Sequence, residues 1–248
     1  APYDDLFWQD GRLVGRLDNQ YVVLDPESGD EYWRAGVDGR QLAAIAVGQG
    51  RAYGIVQPHS LASKFRLQAR SIVDGTLIYD LAFDGVPPSE ISVGERWLVV
   101  ALETEPLAWV LDPFTGARAP GFPDGLRYEE FLAPFMAAGD LVVAVPEASR
   151  SEARRLCGFD PATGQARWTR QLGRESVRFW NRDRARVFYR LRNRETDRST
   201  LVVADLRDGS NLLQRTLEPE VMLLNGSRVL ADRLYAVLSR PVRPGGSL

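Results

Sequence analysis

Cys157 and His59 are the only thiol and the only imidazole in the 248 residues. Together they could carry acyl transfer, because an imidazole takes the proton that a nucleophile loses. They lie far apart in sequence, and nothing around either resembles a nucleophile elbow. One Cys and one His also fall short of a His/Cys zinc set. Cys157 sits in the apolar stretch Leu156-Cys157-Gly158-Phe159 and reads as a small buried hydrophobe. With a single cysteine, no intramolecular disulfide can form. The other candidate chemistry belongs to carboxylates, which in pairs on either side of a glycosidic bond would make a polysaccharide-active site. Here most of them fall in turns, and no pair stands out. The sequence therefore predicts no catalytic residue, no cofactor ligand and no metal ligand.

Those turns recur. Five segments align: Leu24-Asp25-Pro26-Glu27-Ser28-Gly29, Arg70-Ser71-Ile72-Val73-Asp74-Gly75, Leu111-Asp112-Pro113-Phe114-Thr115-Gly116, Phe159-Asp160-Pro161-Ala162-Thr163-Gly164 and Ala204-Asp205-Leu206-Arg207-Asp208-Gly209. Their closing glycines stand 46, 41, 48 and 45 residues apart. An Asp four residues before the glycine (Asp25, Asp112, Asp160, Asp205) can accept from backbone N–H groups two and three residues on. Pro26, Pro113 and Pro161 preset φ for the turn, and the glycine supplies the positive φ that ends it. β-rich runs flank each turn, and an aromatic follows the glycine by four residues at Trp33, Tyr79 and Trp168. Pro120 and Leu213 hold that place in the third and fifth repeats.

A period near 45 with strand-like filling predicts an all-β propeller of four-stranded antiparallel blades, with the Asp–Gly turn joining third strand to fourth. The repeats cover roughly 5–38, 41–84, 90–124, 130–173 and 176–218, with a partial sixth at 219–240, in one domain over 1–248. In the second repeat the strands are Leu42–Val47, Arg51–Val56, Phe65–Arg70 and Thr76–Phe83. Ser149–Arg155 reads as a loop. Val221–Asn225 and Arg233–Ser239 read as the first two strands of a sixth blade. Asp5–Gln9 and Arg12–Asp18 could complete that blade and close a six-bladed ring, or the chain could be part of a larger propeller.

The element Leu-Asp-x-x-Ser/Thr-Gly-x-x-x-Trp, seen at Leu24–Trp33 and Phe159–Trp168, resembles the tryptophan-docking repeat of quinoprotein-type (pyrroloquinoline quinone-like) propellers. The resemblance covers almost the whole chain. It implies that Trp33, Trp168 and Tyr79 pack against the neighbouring blade. It is closest to the non-catalytic branch, which includes the propeller lipoproteins of the outer-membrane barrel-assembly machine. The catalytic members use a vicinal disulfide, a calcium set and eight blades, and one cysteine cannot supply the disulfide. The resemblance implies a protein-binding scaffold in a bacterial cell envelope, periplasmic or extracytoplasmic, without cofactor, associated peripherally with a membrane complex. A quinone-dependent enzyme or sensor and a polysaccharide-active propeller are the alternatives.

Charge and loop length point to candidate contact residues. The chain carries a net charge of −2, so no nucleic-acid partner is expected. Its basic residues are Arg except for Lys64, and 44% apolar residues allow a sizeable core. Residues 174–198 hold nine Arg against four carboxylates, with Phe179, Trp180 and Tyr189 interleaved, whereas residues 1–40 hold nine carboxylates against four Arg. The two regions could pair at a seam, or the first could form a basic patch. The connections between second and third strands are long in the second, fourth and fifth repeats, and such insertions mark a binding face. The candidate protein-binding residues are His59, Lys64, Arg150, Arg154, Arg192 and Arg194. No apolar run approaches the ~20 residues of a membrane span. The chain opens Ala1-Pro2-Tyr3 and reads as a processed form or a fragment; neither a signal peptide nor a lipid-anchor Cys is visible.

Overall fold

The structure is a computed structural model that describes residues 5–57, 64–83, 90–102, 108–126, 131–146, 154–173, 176–182, 185–193, 196, 198–217, 222–223, 228–230, 233–235 and 238–239. Regular structure among them is all β. The first sheet is a meander of β1 (Asp5–Gln9), β2 (Arg12–Leu17), β3 (Gln20–Leu24) and β4 (Glu31–Ala35). The second contains β5 (Gln41–Gly48), β6 (Arg51–Gln57), β7 (Phe65–Ser71) and β8 (Leu77–Phe83). The third has β9 (Glu90–Val93), β10 (Leu98–Ala101) and β11 (Ala108–Leu111). The fourth holds β12 (Phe131–Ala138), β13 (Leu141–Pro146), β14 (Arg154–Phe159) and β15 (Ala166–Gly173), and the fifth β16 (Ser176–Arg182), β17 (Arg186–Arg192), β18 (Ser199–Asp205) and β19 (Asn211–Thr216). Every pairing within these five sheets is antiparallel between strands consecutive in sequence.

Three details differ from the sequence reading. Asp5–Gln9 pairs with Arg12–Leu17, which in turn pairs with β3, so among the described residues both strands belong to the first sheet and not to a sixth blade. Arg154 and Arg155 belong to β14, so the segment read as a loop ends two residues earlier, where pairing with β15 begins. Among the described residues the third sheet shows no regular fourth strand after its turn. Two single bridges, Leu111 to Arg118 and Ala108 to Leu126, stand in its place. Pro120 and Pro123 remove the N–H groups that a continuous ladder needs between those bridges. Beyond the fifth sheet, β20 (Met222–Leu223) pairs with β23 (Leu238–Ser239), and β21 (Arg228–Leu230) with β22 (Arg233–Tyr235).

The chain divides into two compact units, Ala1–Glu129 with Pro161–Gly164, and Glu130–Asp160 with Gln165–Leu248. In each, the core lies between facing sheets. Val14, Tyr21 and Val23 of the first sheet pack with Leu42, Ala52 and Val56 of the second. Tyr53, Ile55 and Leu67 of the second meet Leu98, Val100 and Leu111 of the third. In the other unit Val143, Leu156 and Trp168 of the fourth sheet meet Val187, Tyr189 and Val202 of the fifth. Period-2 alternation produces these faces, since alternate side chains leave a strand on the same side.

The Asp–Gly turns hold as expected. Asp25 Oδ1 accepts from the N–H groups of Glu27 and Ser28 at 2.8 and 3.0 Å. Asp112 Oδ1 accepts from Phe114 and Thr115 at 2.7 and 2.8 Å. In the second repeat, where Ser replaces Asp, Ser71 Oγ accepts from Val73 at 3.2 Å. The Tyr32 hydroxyl donates to Asp25 Oδ2 at 2.6 Å and, with the two backbone donors, holds this carboxyl down at about 2.

The turns of the second to fifth repeats also receive the preceding repeat. Trp33 Nε1–H donates to the Ile72 carbonyl at 3.0 Å, and Trp168 Nε1–H to Leu206 at 2.8 Å. The Tyr79 hydroxyl lies 3.4 Å from the Pro113 carbonyl. In the third repeat, which lacks the aromatic, the backbone N–H of Gly121 donates to Pro161 at 2.9 Å. All four acceptors stand three residues before the turn glycine. The rings lie so close to these glycines that a Cβ on Gly75 would come 2.9 Å from Trp33, and one on Gly209 2.6 Å from Trp168. Trp168 is only 7% exposed and also lies over Gly158 of its own sheet.

Two outcomes test this description. Trp168→Ala should cost about 3–5 kcal/mol in urea unfolding, and Trp168→Phe less, because the ring is kept and one hydrogen bond is lost; a loss below about 1 kcal/mol for the alanine variant would refute the docking role. The Asp25 carboxyl should titrate near 2 by carbon-13 NMR. Because its folded pKa lies below the ordinary 3.8, its contribution to stability is complete above that value and disappears as pH falls toward 2. Tyr32→Phe should move the titration upward, and a parent midpoint near 3.8 would contradict the geometry.

Candidate functional site

Among the residues singled out as candidate contacts, Arg154 and Arg192 come to one end of neighbouring sheets. Arg154 opens β14 opposite Gly173, and Arg192 closes β17 opposite Ser199. Arg155 and Arg198 are exposed at the same end, as is Arg192, while Arg154 is half-buried. All four lie in the second compact unit. Lys64 is exposed just before β7, in the first unit. His59, Arg150 and Arg194 lie outside the described residues.

One aromatic of the expected basic patch, Tyr189, is not at the surface. Tyr189 is 0% exposed and belongs to the core between the fourth and fifth sheets. Alternation along β17 explains why: Val187, Tyr189 and Leu191 face that core, so Arg186, Arg190 and Arg192 take the other side. Phe179 and Trp180 fall in β16, where the register shifts between Phe179 and Asn181.

Cys157 is buried, with its sulfur 3.4 Å from the Thr169 hydroxyl, and burial pushes its thiol pKa up. A protonated thiol inside a sheet is the reverse of an activated nucleophile. The turn carboxylates accept from their own backbone; Asp205 also receives Arg207 at 2.6 Å, which holds its pKa at about 2. Asp80 accepts from Arg66 at 2.7 Å and from Gln68 at 3.1 Å. Among the described residues no group of three His, Cys, Asp or Glu gathers to hold a metal ion. No helix among them is long and apolar enough to cross a membrane.

The sequence reading missed three arginines that join repeats. Arg12 Nη1 donates to the Ile72 and Val73 carbonyls, each at 3.0 Å, while its guanidinium stacks 4.5 Å over Tyr32. Arg51 Nη1 donates to Pro113 and Phe114 at 2.9 and 2.8 Å and stacks 4.6 Å over Phe114. Arg16 Nη1 reaches the Leu42 and Ala43 carbonyls at 2.7 and 2.6 Å, where β5 bulges. The signal was present: Gly11-Arg12 and Gly50-Arg51 both open a second strand.

One turn differs from the rest. Gly29 ends the first turn with φ 77°, yet a Cβ placed on it would meet nothing within 4 Å. Exposed apolar side chains gather at the same end of the sheets as these turns: Tyr32, Val73 and Phe114 in the first unit, Leu212 and Leu213 in the second.

No protein-family model and no curated protein matches the chain. Solved structures do. Hsv2p of Kluyveromyces lactis aligns with 86% of this chain and 63% of its own, at 10% identity and TM-score 0.57. A chain of the Mitotic Checkpoint Complex aligns with 88% of this chain and 66% of its own, at 9% identity and TM-score 0.55. BamB from Moraxella catarrhalis aligns with 93% of this chain at 14% identity, with a TM-score of 0.47. This chain spans under two thirds of the length of BamB and Hsv2p, at 65% and 63%. With the consecutive antiparallel sheets, the likeness shows the fold: the chain is an all-β propeller of four-stranded blades.

Proposed function

We propose that this protein is a non-catalytic scaffold for protein–protein contact, in a periplasmic or otherwise extracytoplasmic assembly of the bacterial cell envelope and peripherally associated with a membrane complex. We read its repeat as belonging to the non-catalytic branch of quinoprotein-type propellers. The observation that carries the reading is the basic end of the fourth and fifth sheets. There Arg154, Arg155, Arg192 and Arg198 reach strand ends from two adjacent sheets. Guanidinium groups at a rigid edge suit the carboxylates of an acidic protein surface, because the planar fork engages a carboxylate bidentately. The sheet interiors are engaged in inter-sheet packing and the turns in backbone hydrogen bonds, which leaves strand ends as the adaptable surface.

The test is capture from a cell-envelope extract on the immobilised protein, with crosslinking and mapping of the linked peptides. Arg154→Glu with Arg192→Glu should reduce recovery of the principal partner by about tenfold while the melting temperature stays near the parent's. Equal recovery by parent and double variant would remove this end from the interface. Failure of the parent to capture any protein would remove the scaffold reading itself.

A further inference from the structure

We propose that the outer edge of the second sheet, residues 73–83, is a docking site for an extended segment of another protein that joins β8 as an added strand and alternates apolar with basic side chains. The proposal rests on the scaffold reading and gives it a second contact surface, separate from the basic end.

This edge is apolar where the fold does not require it. At two residues before, two after and three after the turn glycine, the second repeat has Val73, Leu77 and Ile78. Each of the other repeats has a charged residue at one or more of these places: Glu27 and Glu31 in the first, Arg118 in the third, Arg167 in the fourth and Arg207 in the fifth. Val73, Leu77 and Ile78 are 65%, 42% and 39% exposed, so they add little to the core. Neighbouring repeats stand on both sides of the second: Trp33 of the first sheet lies on Gly75, and Tyr79 and Leu81 of β8 lie on Gly116 of the third repeat. The exposure therefore belongs to the outer edge itself and not to a missing neighbour.

The backbone of the edge suits an extended partner. Among the described residues β8 ends its sheet and pairs only with β7, so every second residue aims its N–H and C=O outward. The third sheet has no regular fourth strand among them, so no outer strand of that sheet runs beside β8. Charged side chains on an outer strand ordinarily discourage such pairing. β4 carries Glu31 and Arg34, β15 Arg167 and Arg170, and β19 Arg215, whereas β8 has only Asp80, which Arg66 and Gln68 hold at 2.7 and 3.1 Å. Charge then selects the occupant. Residues 71–83 include Asp74 and Asp80 and no basic residue. The arginines that reach them are engaged inside the fold, Arg12 on the Ile72 and Val73 carbonyls and Arg70 on the Gly75 carbonyl. The exposed Asp74 therefore attracts basic side chains of the added strand, while Leu77 and Ile78 receive its apolar ones. A second copy of β8 is a poorer occupant, because it would bring carboxylates and no cation.

The experiment titrates nitrogen-15-labelled protein with a capped peptide of alternating lysine and valine at millimolar concentration. One control peptide has every amide N-methylated, which keeps the side chains and removes the strand's donors; another has glutamate in place of lysine. The amide resonances of Leu77, Ile78, Asp80 and Ala82 should shift saturably with the parent peptide. Both controls should bind about tenfold or more weakly. Leu77→Lys with Ile78→Lys in the protein should weaken the parent peptide similarly while the melting temperature stays near the parent's, since both side chains are exposed. Absent shifts along β8, or equal shifts with the N-methylated peptide, would overturn the proposal. So would strong hydrogen-exchange protection, in the protein alone, of the β8 amides that do not pair with β7, which would mean that the chain covers this edge itself. Concentration-dependent self-association abolished by Leu77→Lys with Ile78→Lys would assign the edge to a second copy and overturn it too. The peptide result and capture through Arg154 and Arg192 are separate readouts, so failure of this site is distinguishable from failure of the scaffold reading.

Discussion

In the second to fifth repeats the backbone carbonyl three residues before the turn glycine ties one repeat to the one before it, and the packing of the sheets depends on it. A carbonyl buried under a neighbouring sheet is costly unless it accepts a hydrogen bond. The first four repeats supply the donor and the cover together. Trp33 and Trp168 bring ring and N–H in one side chain, and Arg12 and Arg51 add a second donor together with the next carbonyl along. The Pro113 carbonyl accepts from three side chains, Arg51, Tyr53 and Tyr79. Burial pushes the phenols of Tyr53 and Tyr79 up, so both stay protonated as donors across the physiological range.

The third repeat shows that the constraint is geometric and does not demand one residue type. Proline at the aromatic place breaks the fourth strand, and the excursion through Ala119–Gly125 brings the backbone of Gly121 onto Gly164. Two glycines in contact allow a main-chain N–H to reach the carbonyl that an indole reaches elsewhere. This contact places Pro161–Gly164 in the first compact unit while the rest of its sheet belongs to the second.

Surface chemistry follows from what this packing leaves over. Side chains pointing between sheets are mostly apolar. Carboxylates stay near the turns because each caps backbone N–H groups there. The guanidinium groups of Arg154 and Arg192 sit at the opposite end, where second strands connect to third.

The amino-acid sequence by itself determined the repeat, the turn chemistry and the strand positions, because each of these is local. Asp, Pro and Gly at fixed offsets specify a turn wherever they occur, and period-2 alternation marks a strand. The docking role of Trp33 and Trp168 was also legible, from the family resemblance. Long-range partners were not. The sequence could show that Arg12 and Arg51 open second strands, but only folding brings their guanidiniums to carbonyls 60 to 63 residues away. It made Tyr189 look like part of a basic surface because charge surrounds it, whereas the register of β17 turns its ring into the core. Only the tertiary structure decided what covers Gly75, Gly116, Gly164 and Gly209, because cover depends on which sheet stands beside the turn, and no local pattern encodes that.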